Sequence, residues 1–168
     1  MLLLVPAIQG FDNGVYNQAS GCGCHSQTGT TPASVSISGL PNAYDVNKLY
    51  QVTVSVSGGV QGSSGGFSLE VDKGTLSTGM GLMLVKVNNQ GNSATHTITG
   101  SSYRSWSFEW TSPAAGSGTV SFEVAGLTTN GNGQNSGDRW VTDVVQVLEN
   151  IPVNNPPSAS NALLAPTD

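Results

Sequence analysis

Apolar residues recur at every second position in five stretches of this chain, and that period suits one kind of element. Val35 and Ile37 alternate with Ser36 and Ser38, and Tyr50, Val52, Val54 and Val56 with Gln51, Thr53, Ser55 and Ser57. Phe67, Leu69 and Val71 alternate with Ser68, Glu70 and Asp72. Trp106, Phe108 and Trp110 alternate with Ser107, Glu109 and Thr111, and Val120, Phe122 and Val124 with Ser121 and Glu123. Residues two apart share a face of a strand, so each stretch offers an apolar face to a core and a polar face outward. Further strands are expected at 82–87 and 140–148. Turn clusters such as Gly39-Leu40-Pro41-Asn42, Gly58-Gly59, Asn88-Asn89-Gln90-Gly91-Asn92 and Pro113-Ala114-Ala115-Gly116 separate them, with no amphipathic helix between. The pattern predicts an all-β, antiparallel sandwich of about seven to nine strands. The inward aromatics Trp106, Phe108, Trp110 and Phe122 form its core, each burying about 150–250 Å².

Charge narrows the function. Only 9% of the 168 residues are charged, against roughly 25% in ordinary soluble domains, and the formal net charge is −5. The five basic residues are scattered, which excludes the clustered cations a nucleic-acid phosphate backbone requires. The shortage of Glu and Lys also excludes coiled coils and long surface helices.

The ends differ from the middle. Residues 1–10 open with Met1-Leu2-Leu3-Leu4-Val5-Pro6-Ala7-Ile8, apolar but far short of the ~20 residues a membrane span needs, and are expected to be the remnant of a secretory signal peptide. Residues 11–31 hold both cysteines in a Cys-x-Cys-His segment that is expected to pack on the sandwich, folding back over the sheet that carries His96. Residues 32–150 carry the sandwich. Residues 151–168 contain a Pro-stiffened linker, Asn154-Asn155-Pro156-Pro157-Ser158, followed by an apolar restart that is expected to begin a further domain. The expectation is a secreted or surface-displayed module with no membrane span in this segment.

Chemistry concentrates in Ser20-Gly21-Cys22-Gly23-Cys24-His25-Ser26. Two thiols followed at once by a His is the arrangement that attaches a c-type haem, the thiols adding to the porphyrin vinyl groups and the His binding iron. The usual signature has two residues between the cysteines, and this chain has one. Cys22 and Cys24 can then lie at most about 7 Å apart. Gly23 is the residue best able to supply unusual dihedrals there. A Cys22–Cys24 disulfide, and a zinc or copper site using Cys22, Cys24, His25 and a distant ligand, are the competing readings.

The chain has only one other histidine. His96 shares the parity of Ala94 and Ile98, so its ring is expected on the apolar side. It is either a satisfied core residue or the distal ligand of the iron that His25 binds. Met80 and Met83 are alternative sixth ligands, or core gap-fillers. Asp138, in the loop Asn130-Gly131-Asn132-Gly133-Gln134-Asn135-Ser136-Gly137-Asp138, is a candidate hydrogen-bond partner of a ligand His. That loop has a single carboxylate, too little charge for a tight calcium site, and is better read as a turn packing near the Cys-His segment. Gly62-Ser63-Ser64-Gly65-Gly66 matches the Gly-x-Ser-x-Gly pattern of hydrolases but sits in a flexible composition without the strand-turn-helix that gives it meaning. The carboxylates Glu70, Asp72, Glu109 and Glu123 fall on outer faces with no sign of a glycosidase cleft.

Several of these segments together resemble a known family. They are the Cys-x-Cys-His motif, Ser34-Val35-Ser36-Ile37-Ser38-Gly39-Leu40-Pro41, Tyr50-x-Val-x-Val-x-Val, Gly66-Phe67, His96-Thr97, Trp106-x-Phe-x-Trp-x-x-Pro113, Gly118-Thr119-Val120-Ser121-Phe122 and the Asn130-Gly131-Asn132-Gly133 loop. Over about residues 21–147 they are similar to the reeler-like, choice-of-anchor V family of secreted prokaryotic proteins. The resemblance implies an immunoglobulin- or reeler-like sandwich on an exported, surface-attached protein, with Cys22, Cys24, His25 and His96 as haem residues. Two functions are expected from this reading. One is a non-enzymatic extracellular module carrying one bis-His haem c, for electron transfer with an unknown redox partner or for haem-based sensing. The other is a cofactor-free adhesive scaffold with an oxidised Cys pair, binding a surface polymer through Tyr103 or Trp140.

Overall fold

A computed structural model describes residues 12–27 and 31–151. The expected signal remnant at 1–10 and all but Ile151 of the 151–168 linker lie outside the described residues. The strands are β1 (Ser26–Gln27), β2 (Ala33–Ser38), β3 (Ala43–Tyr44), β4 (Leu49–Gly58), β5 (Gly65–Val71) and β6 (Thr75–Ser77). They continue with β7 (Val85–Val87), β8 (Ser93–His96), β9 (Ser105–Thr111), β10 (Val120–Thr128) and β11 (Ser136–Glu149). A seven-stranded sheet runs β1-β11-β10-β5-β8-β7 with β3 also pairing β11, and a four-stranded sheet runs β2-β4-β9-β6. The molecule is an all-β sandwich. The strands beyond the expected number are fragments of two or three residues, too short to show a period. The strand expected at 82–87 shrinks to Val85–Val87, because a single 3-10 turn at Gly79–Gly81 occupies the approach. The strand expected at 140–148 instead spans Ser136–Glu149.

The alternation read from the sequence fills the space between the sheets. Val52, Val54 and Val56 of β4 and Trp106, Phe108 and Trp110 of β9 face Phe67, Leu69 and Val71 of β5 and Val120, Phe122 and Val124 of β10, all buried in one cluster. Phe67 packs on Trp106 at 4.9 Å between ring centroids and stacks on Phe108 at 5.9 Å, while Trp110 meets Phe122 edge-on at 4.9 Å. The outer face of the smaller sheet carries cross-strand hydroxyl pairs: Ser34 with Ser57 at 2.7 Å, Thr53 with Ser107 at 2.8 Å and Ser55 with Ser105 at 2.9 Å. At the far end of β11, Glu149 accepts from the backbone N–H of Gly116 at 2.7 Å and of Gly118 at 2.6 Å, which holds its carboxyl below the usual range.

The outer face of the larger sheet is covered by the chain itself. Residues 12–25 lie across β5 and β8, and their backbone N–H groups bond to polar side chains of that face. Asn17 N donates to Ser93 Oγ at 3.1 Å, Gln18 N to Ser68 Oγ at 3.1 Å and Ala19 N to Glu70 Oε1 at 3.0 Å. Lys86 Nζ reaches Gly14 O at 3.1 Å. Ser68 and Ser93 are consequently buried. Among the described residues no helix is long and apolar enough to cross a membrane.

Candidate functional site

This strap ends in a turn closed by His25 N donating to Cys22 O at 2.8 Å. Three side chains of the β10–β11 region hold the turn in place. Trp140 Nε1 donates to His25 O at 3.3 Å, Asn135 Nδ2 to Cys24 O at 2.8 Å, and Asp138 Oδ2 lies 2.6 Å from His25 Nδ1. Asp138 and Trp140 share a face of β11 because strand side chains repeat every two residues. Gly21, at φ +148°, lies flat on Trp140, where a Cβ would come 2.9 Å from the indole ring. Trp140 is therefore half-buried structure, not the exposed ring expected of a polymer-binding surface; Tyr103 is exposed.

Asp138 is fully buried, and its second oxygen accepts from Asn130 N at 3.0 Å. The loop before it is knitted by its own amides, Asn132 N to Asn130 Oδ1 at 3.1 Å and Gln134 N to Asn132 Oδ1 at 2.8 Å. These acceptors are turned inward on the backbone, as a structural turn requires.

His96 closes β8 on the core side, 8% exposed, with its ring 6.2 Å from that of Trp106 and 6.4 Å from that of Phe67. Its Nδ1 lies 3.2 Å from Phe67 N and 3.3 Å from Phe67 O, so one tautomer accepts from the backbone and the other donates to it. Burial pulls its pKa down to about 4, the charges of Lys86 and His25 pulling the same way and the Phe67 backbone and Asp12 opposing them. Ile98, paired with it by parity, is exposed because the strand ends at His96.

Both histidines line one cavity of about 490 Å³, together with Cys22, Cys24 and the bare backbone of Gly65 and Gly66. Gly66 is required by close approach: a Cβ there would sit 2.6 Å from His96 Cε1. Each imidazole is pinned through Nδ1, and among the described residues neither Nε2 has a hydrogen-bond partner. Cys22 is half-buried and Cys24 exposed, both as free thiols without the disulfide of the competing reading. Burial, with Cys24 beside it, pushes the Cys22 thiol up to about 12.

Met80 and Met83 do not approach this cavity. They are 93% and 75% exposed and border a separate shallow depression with Leu84, Ser105 and Ser107, so they are neither gap-fillers of the core nor ligands here. Among the described residues no three His, Cys, Asp or Glu side chains gather as a metal-ion site, which leaves the zinc or copper reading without its ligand set. Residues 62–66 form a loop and the start of β5 with no helix following, so the hydrolase pattern lacks its context. Sequence reasoning missed the parts played by Trp140, Gly66 and the Phe67 backbone.

No family model matches the chain, and no curated protein matches it in sequence. Among solved structures, a fragment of the human F-spondin reeler domain is similar over 74% of this chain and 91% of its own, at 18% identity and a TM-score of 0.52. A second fragment of that human domain covers 81% of this chain and 94% of its own, at 16% identity and TM-score 0.50. A cohesin module from a Clostridium perfringens family 33 glycoside hydrolase covers 72% of this chain and 98% of its own, at 14% identity and TM-score 0.50. Identities this low speak to architecture alone, and the architecture is a reeler-like β-sandwich.

Proposed function

We propose that this sandwich is a non-enzymatic, extracellular surface module that holds one c-type haem between His25 and His96. One observation carries the reading: two imidazoles, each fixed through Nδ1 with Nε2 unengaged, line the same cavity as a pair of free thiols. The cavity lies within the roughly 300–1,000 Å³ typical of cofactor pockets. Gly65 and Gly66 both line it, and the missing side chain of Gly66 is what admits the His96 ring.

In this reading Cys22, Cys24 or both would hold the group covalently, and His25 and His96 would hold its iron through Nε2. With Nε2 so used, the His96 ring proton would sit on Nδ1, 3.3 Å from the acceptor Phe67 O. The bound group supplies one-electron chemistry. The residues around it keep both rings still, since His25 is held by Asp138 and Trp140, and His96 by Phe67 and the close approach of Gly66. Rings held this firmly favour electron transfer over sensing that needs a ligand to leave.

The test is expression with a haem c maturation system. The purified protein should show a Soret band that survives acid-acetone extraction, a haem-sized mass on the 22–25 peptide, and a low-spin spectrum. His96→Ala should keep the covalent adduct and lose the low-spin form. Absence of any haem adduct on a correctly matured preparation overturns the proposal.

A further inference from the structure

The two rings at the cavity differ in what stands behind them. His25 Nδ1 faces a carboxylate oxygen at 2.6 Å, and the Asp138 that carries it is fully buried. Among the described residues, the only ion-pair partner of Asp138 is His25 itself. His96 Nδ1 faces only the neutral backbone of Phe67. Resting on the haem reading, we infer that Asp138 is the positioning residue that sets a low reduction potential at this site, by making His25 the stronger donor.

Two physical effects act in the same direction. A ring that donates Nδ1–H to a carboxylate gains negative character at Nε2 and becomes a more basic ligand, which favours the higher oxidation state. A desolvated negative charge nearby also stabilises the more positive of two redox states, and low local dielectric enlarges that preference. The position of Asp138 follows from the fold. β11 enters the larger sheet at Ser136, the Asn130 N–H fixes one carboxylate oxygen, and the other is left for the ring. Substitution by Asn keeps the shape and removes the charge.

The experiment is potentiometric titration of haem-loaded wild type and Asp138→Asn, with optical spectra recorded throughout. The expected result is an upward shift of the midpoint potential in the variant with the low-spin bands retained. An equally folded, low-spin variant with an unshifted or lowered potential overturns the inference and leaves the haem reading standing. A wild type that acquires no haem removes both. A second measurement does not depend on the variant folding or on the cofactor. In the haem-free wild type, nitrogen-edited NMR of the His25 ring should find the proton on Nδ1, shifted downfield by a strong acceptor. A proton on Nε2, with Nδ1 bare, overturns the inference.

Discussion

His96 illustrates how one buried ring links stability to pH. In an unfolded chain it titrates near 6.5, and in the fold its pKa is pulled down to about 4. Between those values the unfolded chain binds one proton more than the folded one, so stability is complete above the upper value and falls as pH drops through the window. The slope is about 1.4 kcal/mol per pH unit, or on the order of 3 kcal/mol in all. Urea unfolding of the haem-free protein at pH 7 and pH 4.5 should show this loss, and His96→Gln should show a correspondingly smaller one. Gly66 is the companion case. A methyl group there meets the His96 ring, so Gly66→Ala is expected to cost about 1–3 kcal/mol by overpacking. It should also weaken the low-spin spectrum without detaching haem. Differential scanning calorimetry and absorption spectra read the two effects separately.

Among elements, β11 and the 12–25 strap depend on each other. The strap has few apolar anchors, and its order comes from backbone bonds to Ser68, Glu70 and Ser93 and from Trp140 beneath Gly21. Trp140→Ala removes the surface on which Gly21 lies and the donor to His25 O. Limited proteolysis should then cut within residues 12–25 while the sandwich itself resists. The strands of the core were legible because alternation survives in any half-buried strand. The Cys-His segment was expected to pack on the sandwich, but its seat was not legible, because Ser68, Glu70 and Ser93 look the same in sequence whether water or backbone meets them. Trp140 misled for a related reason: its parity sets it on the outer face, and only the fold shows that this face is covered. Met80 and Met83 lacked any period, and the 3-10 turn at Gly79–Gly81 carries them outward.

At the scale of the molecule, the packed core and the thiol turn are separate. The cluster of Trp106, Phe108, Trp110 and Phe122 lies between the sheets, whereas the thiols sit on a turn outside that cluster. Cys22→Ser and Cys24→Ser should therefore leave the melting temperature of the haem-free protein within a degree or so of wild type, with or without reductant. A large drop confined to oxidising conditions would reveal a disulfide contributing to the fold. The cavity itself was hidden from sequence reading, since its lining is drawn from segments far apart in the chain, among them Cys22, Gly66, His96 and Leu127. What could be read was the donor set beside it: two histidines, two thiols and Asp138.

The latch at Glu149 has a geometric consequence. Asp138 and Glu149 occupy the two halves of one strand and lie roughly 36 Å apart at about 3.3 Å per residue. Gly116 and Gly118 clamp the distal tip, and the polypeptide departs from there through Ile151. The point at which the chain leaves the sandwich therefore lies about a full strand's length from the cavity that His25 and His96 line.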